Sequence, residues 1–189
     1  MNTYQHRTQF VCRLIVEGMV AVAGLGMLTT LPVAAYEPAP PWQVAQGALY
    51  ASSSGRFAIA FPTPPEVTSE DDDIEGEPIA IHTYQSLTAA SQYMVAYADL
   101  PTGFLEQGEQ GALDQLRDYV FDDIDLDALV GSEINVQLSN HPGRRYRYSN
   151  DDATIDLRLY LVDERAYLLI AADQNKTDVD RFISSFVLR

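Results

Sequence analysis

Two groups of side chains in this sequence have types and spacings that could do chemistry. Arg144, Arg145 and Arg147 follow His141 and interleave with Tyr146 and Tyr148. On a strand, Arg145 and Arg147 project from one face and Tyr146 and Tyr148 from the other, which makes a small cationic strip. Guanidinium groups bind carboxylates through paired N–H donors, so the strip would dock an anion or an acidic segment of a protein partner. The competing expectation is internal: an acid such as Asp156 on a neighbouring strand would pair with the arginines across the sheet.

The second group is acidic. Asp71, Asp73 and Glu75 with Gly76 copy the first half of a calcium loop of the EF-hand kind. The second half is missing, because the twelfth position is His82 where a bidentate glutamate would complete the oxygen cage, and strand-like residues follow. The expectation is therefore a solvated, mobile acidic loop and no cofactor, with calcium or manganese bound at Asp71, Asp73 and Glu75 as the alternative. The run Asp122 to Asp127 repeats the alternate spacing, but Ala128 stands where the sharp turn needs glycine. Acids at the C-terminal end of a helix also oppose its dipole.

Other chemistry is thinly provided. The 189 residues hold 12 basic and 27 acidic side chains, a net charge of −15. Such a chain repels phosphate backbones and anionic bilayers, which excludes general nucleic-acid binding and direct binding of the domain to anionic membranes. The single cysteine, Cys12, sits in the N-terminal segment, leaving the rest without a disulfide, a thiolate ligand or a thiol nucleophile. Beyond that segment His82 and His141 stand alone, without the spacing of a metal site. No nucleophile elbow, phosphate loop or dinucleotide fingerprint occurs. Carboxylates are plentiful, so a hydrolase working through a carboxylate pair is the third reading, but no pair is singled out. Asn175-Lys176-Thr177 is a glycosylation sequon.

The N-terminus reads as an address. Residues 1–13 carry Arg7 and Arg13 and no acid, Leu14 to Leu31 is largely apolar, and Pro32-Val33-Ala34-Ala35 ends in the small residues a signal peptidase reads. Residues 1–35 are thus expected to be a cleaved signal peptide, with an uncleaved anchor as the alternative. Either would place the rest outside the cytoplasm, in a periplasm, a thylakoid lumen or the extracellular space. Residues 36–54, with Pro38, Pro40, Pro41 and Trp42, read as a linker or arm. Residues 55–189 make a single domain, large enough to bury roughly 70% of its unfolded surface without disulfide or metal.

The elements that must position these residues follow from periodicity. Arg56 to Phe61 reads as a first strand, Ile79 to Ser86 and Gln92 to Leu100 as a hairpin, and Leu113, Leu116, Val120, Phe121 and Ile124 as the apolar stripe of a helix. Ile134, Val136 and Leu138 alternate with polar residues, and His141-Pro142-Gly143 turns the chain into Arg144 to Tyr148. In the next strand Ile155, Leu157, Leu159 and Leu161 point inward while Thr154, Asp156 and Arg158 point outward. Tyr167 to Ala172 reads as a central strand covered on both faces. Thr177 opens a closing helix striped by Val179, Phe182, Ile183 and Phe186. The order predicts an α+β domain, an antiparallel sheet of six or seven strands packed with two helices.

Gly55-Arg56-Phe57-Ala58-Ile59-Ala60-Phe61-Pro62, Tyr97-Ala98-Asp99-Leu100-Pro101, His141-Pro142-Gly143-Arg144 and Arg181-Phe182-Ile183-Ser184-Ser185-Phe186 together resemble the PsbP/Mog1-like fold group, named for an extrinsic subunit of the photosystem oxygen-evolving complex and a nuclear-import factor. The resemblance spans most of residues 55–189. It implies an α/β/α sandwich and a binding or assembly module of an extracytoplasmic space. The leading expectation is therefore a non-catalytic exported module that docks on a protein partner of the envelope or lumen, using Arg144, Arg145 and Arg147 with His141, Tyr146 and Tyr148.

Overall fold

The computed structural model describes residues 49–121, 129 and 131–189. The N-terminal address, Cys12, Trp42 and the Asp122 to Asp127 run lie outside the described residues. The described chain forms β1 (Leu49–Ser52), β2 (Phe57–Ala60), β3 (Glu66–Ile74), β4 (Glu77–Leu87) and β5 (Gln92–Asp99). A 3₁₀ turn (Thr102–Leu105) leads into helix α1 (Gly108–Phe121). Then come β6 (Ile134–Leu138), β7 (His141–Ser149), β8 (Thr154–Val162) and β9 (Arg165–Asp173). Helix α2 (Lys176–Ser184) and the short β10 (Val187–Leu188) close the chain.

Every pairing is antiparallel; between successive strands the short connections allow nothing else. Seven strands form one sheet in the order β3-β4-β5-β9-β8-β7-β6, and β1-β2-β10 form a second, small sheet. The α+β class, the seven-stranded antiparallel sheet and the two helices match the expectation. Leu49–Ser52, expected in the arm, is instead a strand paired with β2.

Both faces of the large sheet are buried. On one, α1 and Phe104 cover Met94, Leu157, Leu159 and Ile170. On the other, α2 and the small sheet cover Val95, Tyr97, Tyr160, Tyr167 and Leu169, with Phe57, Phe61, Phe182 and Phe186 completing an aromatic-rich layer. Phe57 stacks on Phe186 at 5.5 Å, and Tyr93 meets Phe182 at 5.0 Å. Two-sided burial corrects one expectation: Thr154 and Asp156 do not point outward but into the second layer. The cap of helix α2 is Asn175, two residues before Thr177, and its side chain accepts from the Thr177 amide at 3.0 Å.

Two turns also differ from the sequence reading. The acidic stretch is no mobile loop: Glu66 to Ile74 pairs residue by residue with Glu77 to Gln85, and the reversal falls on Glu75 (φ +54°) and Gly76 (φ +88°). Positive φ at both central residues is the geometry whose twist suits a two-residue hairpin loop. The reversal before β7 falls on Ser139 and Asn140, with Ser139 at φ +57°, not on His141-Pro142-Gly143, which already pair with Leu138, Gln137 and Val136. Pro142 is tolerated in this strand because pairing of β7 with β8 begins only at Gly143, so its missing N–H breaks no ladder bond.

Candidate docking site

Alternation along β7 sorts the candidate residues onto two faces. Arg145 and Arg147 lie on the α2 side; Arg144, Tyr146 and Tyr148 lie on the α1 side. β8 adds to the first group, because Arg145 is in register with Arg158 and Arg147 with Asp156. Asp156 is fully buried, and three guanidiniums converge on it. Its Oδ2 accepts from Arg145 Nε at 3.0 Å and Arg147 Nη1 at 3.0 Å, and its Oδ1 accepts from Arg158 Nε at 3.0 Å. Arg147 Nη1 also donates to Asp180 of α2 at 2.6 Å. That bond, against an opposing effect of desolvation, holds the Asp180 carboxyl below the ordinary carboxylate range.

This centre combines a carboxylate out of contact with water and three arginine side chains that each remain 20% to 24% exposed. The internal pairing with Asp156 is real, yet it does not use up the donors. Arg145 gives Nε and Nη2 to Asp156, leaving Nη1. Arg158 gives Nε to Asp156 and Nη1 to the Tyr160 hydroxyl at 3.2 Å, leaving Nη2. Arg147 Nη2 is buried with no hydrogen-bond partner. Three positive groups against Asp156 and Asp180 leave a local excess of positive charge on a strongly acidic chain. The carboxylate also fixes the guanidiniums in place, so an incoming anion need not order them.

Arg144 and Tyr146 belong elsewhere, which corrects their assignment to the strip. Arg144 is buried, gives Nη2 to Asp114 of α1 at 3.0 Å, lies 3.5 Å from Glu133 and bonds Asn135. Tyr146 is fully buried and donates to Glu133 at 2.6 Å. Burial and that bond push its hydroxyl well above the ordinary phenol range. With Arg117, which meets Asp114, Asp118 and Glu133, these residues fasten α1 to β7. Tyr148 is exposed and accepts from Asn150 at 3.2 Å. His141 is half-buried at the start of β7, on the Arg145 side but at the far end of the strand from Arg147.

Gly143 brings β7 and β8 together beneath the site. A Cβ there would stand 2.4 Å from Tyr160 Cδ1 and 2.5 Å from the Leu159 carbonyl, so the aromatic ring occupies the space of the missing side chain. The sequence reading passed over Arg158 and Asp180. A signal for Arg158 was present, since it lies two residues from Asp156 and shares its face; Asp180 comes to Arg147 only through the docking of α2.

The acidic residues are drawn apart by the hairpin. Asp71 is exposed on edge strand β3, and Asp73 accepts from the Gly76 amide at 3.3 Å. Glu75 accepts from Gln115 of α1 at 2.8 Å, and Asp72, on the opposite strand face, is bonded by Tyr119. Among the described residues no group of three or more His, Cys, Asp or Glu side chains is placed to hold a metal ion.

Among the solved structures similar to this chain are two from bacteria. One is cyanobacterial PsbP (CyanoP) from Synechocystis sp. PCC 6803, 11% identical, with 81% of this chain and 98% of that chain covered and a TM-score of 0.49. The other is a Bacteroides thetaiotaomicron protein, 10% identical, with 76% of this chain and 49% of that chain covered and a TM-score of 0.41. No family model and no curated protein matches the chain. The resemblance to PsbP is one of fold.

Proposed function

We propose that the protein is a non-catalytic exported module that docks an acidic segment of a protein partner on the Arg145, Arg147 and Arg158 face. The observation that carries this reading is one buried carboxylate, Asp156, holding three part-exposed guanidiniums, with N–H donors to spare on Arg145 and Arg158. Arginines so held bind charge; they neither release nor accept a proton near neutral pH, which suits recognition and not acid–base catalysis. The N-terminal address supports work outside the cytoplasm.

The reading predicts a salt-dependent interaction, because contacts at a part-exposed guanidinium cluster are screened within about 10 Å at 0.1 M salt. The test is capture on the immobilised protein from its native envelope fraction, eluted by a salt gradient. A partner released by moderate salt, and competed by poly-glutamate but not by poly-lysine, is the expected result. Retention that ignores salt and polyanion would remove the arginine face from the account.

A further inference from the structure

The large sheet ends in two edges of opposite character. β3 carries Glu66, Glu70, Asp71, Asp72 and Asp73, the charged dress that keeps an exposed edge from pairing with other chains. β6 carries no charge at all: it reads Ile134-Asn135-Val136-Gln137-Leu138, alternating apolar and polar with no proline. Helix α2 packs over β8 and β9, and on that face β6 stays open to solvent, with Ile134 50% exposed and Val136 and Leu138 half-buried against the rim of the aromatic-rich layer. Among the described residues no strand lies beyond β6.

The free hydrogen-bonding groups of this edge can be assigned. In a two-residue hairpin the residues flanking the loop exchange both backbone bonds, and such pairs alternate along the ladder. Leu138, Val136 and Ile134 therefore bond to β7, and the amides and carbonyls of Asn135 and Gln137 face outward. The Arg147 amide, donating to Ser132 Oγ at 2.8 Å, continues the same alternation. The register places Arg145 beside Ile134, so the arginine cluster stands at the N-terminal end of β6.

We infer that β6 is a strand-addition site: an extended partner segment pairs antiparallel with it, sets alternate aliphatic side chains beside Ile134, Val136 and Leu138, and carries acidic residues past Ile134 onto Arg145 and Arg158. This rests on the docking reading above and names its mode. Charge complementarity selects the occupant. A second copy of the chain would bring a net charge of −15 toward a like charge, and its own β6 has no acid to offer the arginines.

The probe is a fluorescein-labelled peptide in which valine alternates with threonine before a C-terminal run of glutamates, titrated into the full-length protein by anisotropy and followed by amide hydrogen exchange. Binding with new protection at the Asn135 and Gln137 amides is expected. Gln137→Pro removes an outward donor while leaving the β6–β7 bonds intact, and should weaken binding about tenfold or more; Gln137→Thr should not. Binding without protection at Asn135 and Gln137, or indifference to Gln137→Pro, overturns strand addition while leaving the arginine face standing. Protection at those amides that is unmoved when the glutamates become glutamines retains the edge and removes the arginines from it. Concentration-dependent dimerisation through β6 would overturn the choice of occupant.

Discussion

At the residue scale, Asp156 and its three arginines act as one unit. Removing the carboxylate leaves three guanidiniums with only the half-exposed Asp180 as counter-charge, the situation in which breaking a buried ion pair becomes costly. Asp156→Ala should destabilise the protein by about 3 kcal/mol, read as the loss of unfolding free energy in urea. Asp180→Ala removes a carboxylate whose side chain is about half exposed and should cost under about 1 kcal/mol. Equal effects of the two would contradict the central place given to Asp156. Asp180 also gives a pH dependence with a definite sign. Its folded value lies below its unfolded one, so its tie to Arg147 stabilises above the ordinary aspartate range and is lost as pH falls through the lower, folded value. The sequence showed the alternation of arginines and tyrosines on β7 and named Asp156 as a pairing acid. It did not show that Arg144 crosses to α1, because a face is fixed by period two but its covering is not.

At the element scale, the hairpin of β3 and β4 shows where pattern reading stops. Alternation is masked in β3, because one face meets solvent and most of its residues are acids; Ile74 alone shows the buried side. A polar run of that kind reads as a loop, and only pairing with β4 makes it a strand. β4 meets β5 only from His82 onward, so the hairpin tip reaches past the sheet and packs Ile74 and Ile79 with Leu113 and Leu116. Tyr119 and Gln115 of α1 reach up to Asp72 and Glu75. Glu70 is exposed on β3, yet partial desolvation first, and then the neighbouring Asp72 carboxylate, raise its pKa above the usual glutamate value. A raised acid weakens the fold once it ionises. Glu70→Gln should therefore raise the melting temperature at pH 7 and lose that advantage at pH 3, whereas an unchanged melting temperature at both would place Glu70 in open water. Calcium in the millimolar range should leave the melting temperature where it is, since the hairpin spreads Asp71, Asp73 and Glu75 along its length. A clear rise would restore the metal reading.

At the scale of the whole molecule, the fold class was legible because the strands of one face repeat strictly: Ile155, Leu157, Leu159 and Leu161 in β8, and the continuous run in β9, demand a buried sheet with cover on both sides. What the sequence hid was the asymmetry of the assembled sheet. Strand order comes from pairing, not from chain order, and it puts the acidic β3 at one edge and the uncharged β6 at the other, beside the arginines. The account rests on that asymmetry, with one side of the molecule dressed in charge and the other left open to a partner. The measurement that tests it most directly compares partner retention by the Arg145→Gln/Arg158→Gln double variant with retention by Arg144→Gln, each checked for folding by near-ultraviolet circular dichroism. The account predicts that the double variant folds and loses the partner, while Arg144→Gln keeps it and is only less stable. Loss in Arg144→Gln with retention in the double variant would contradict it.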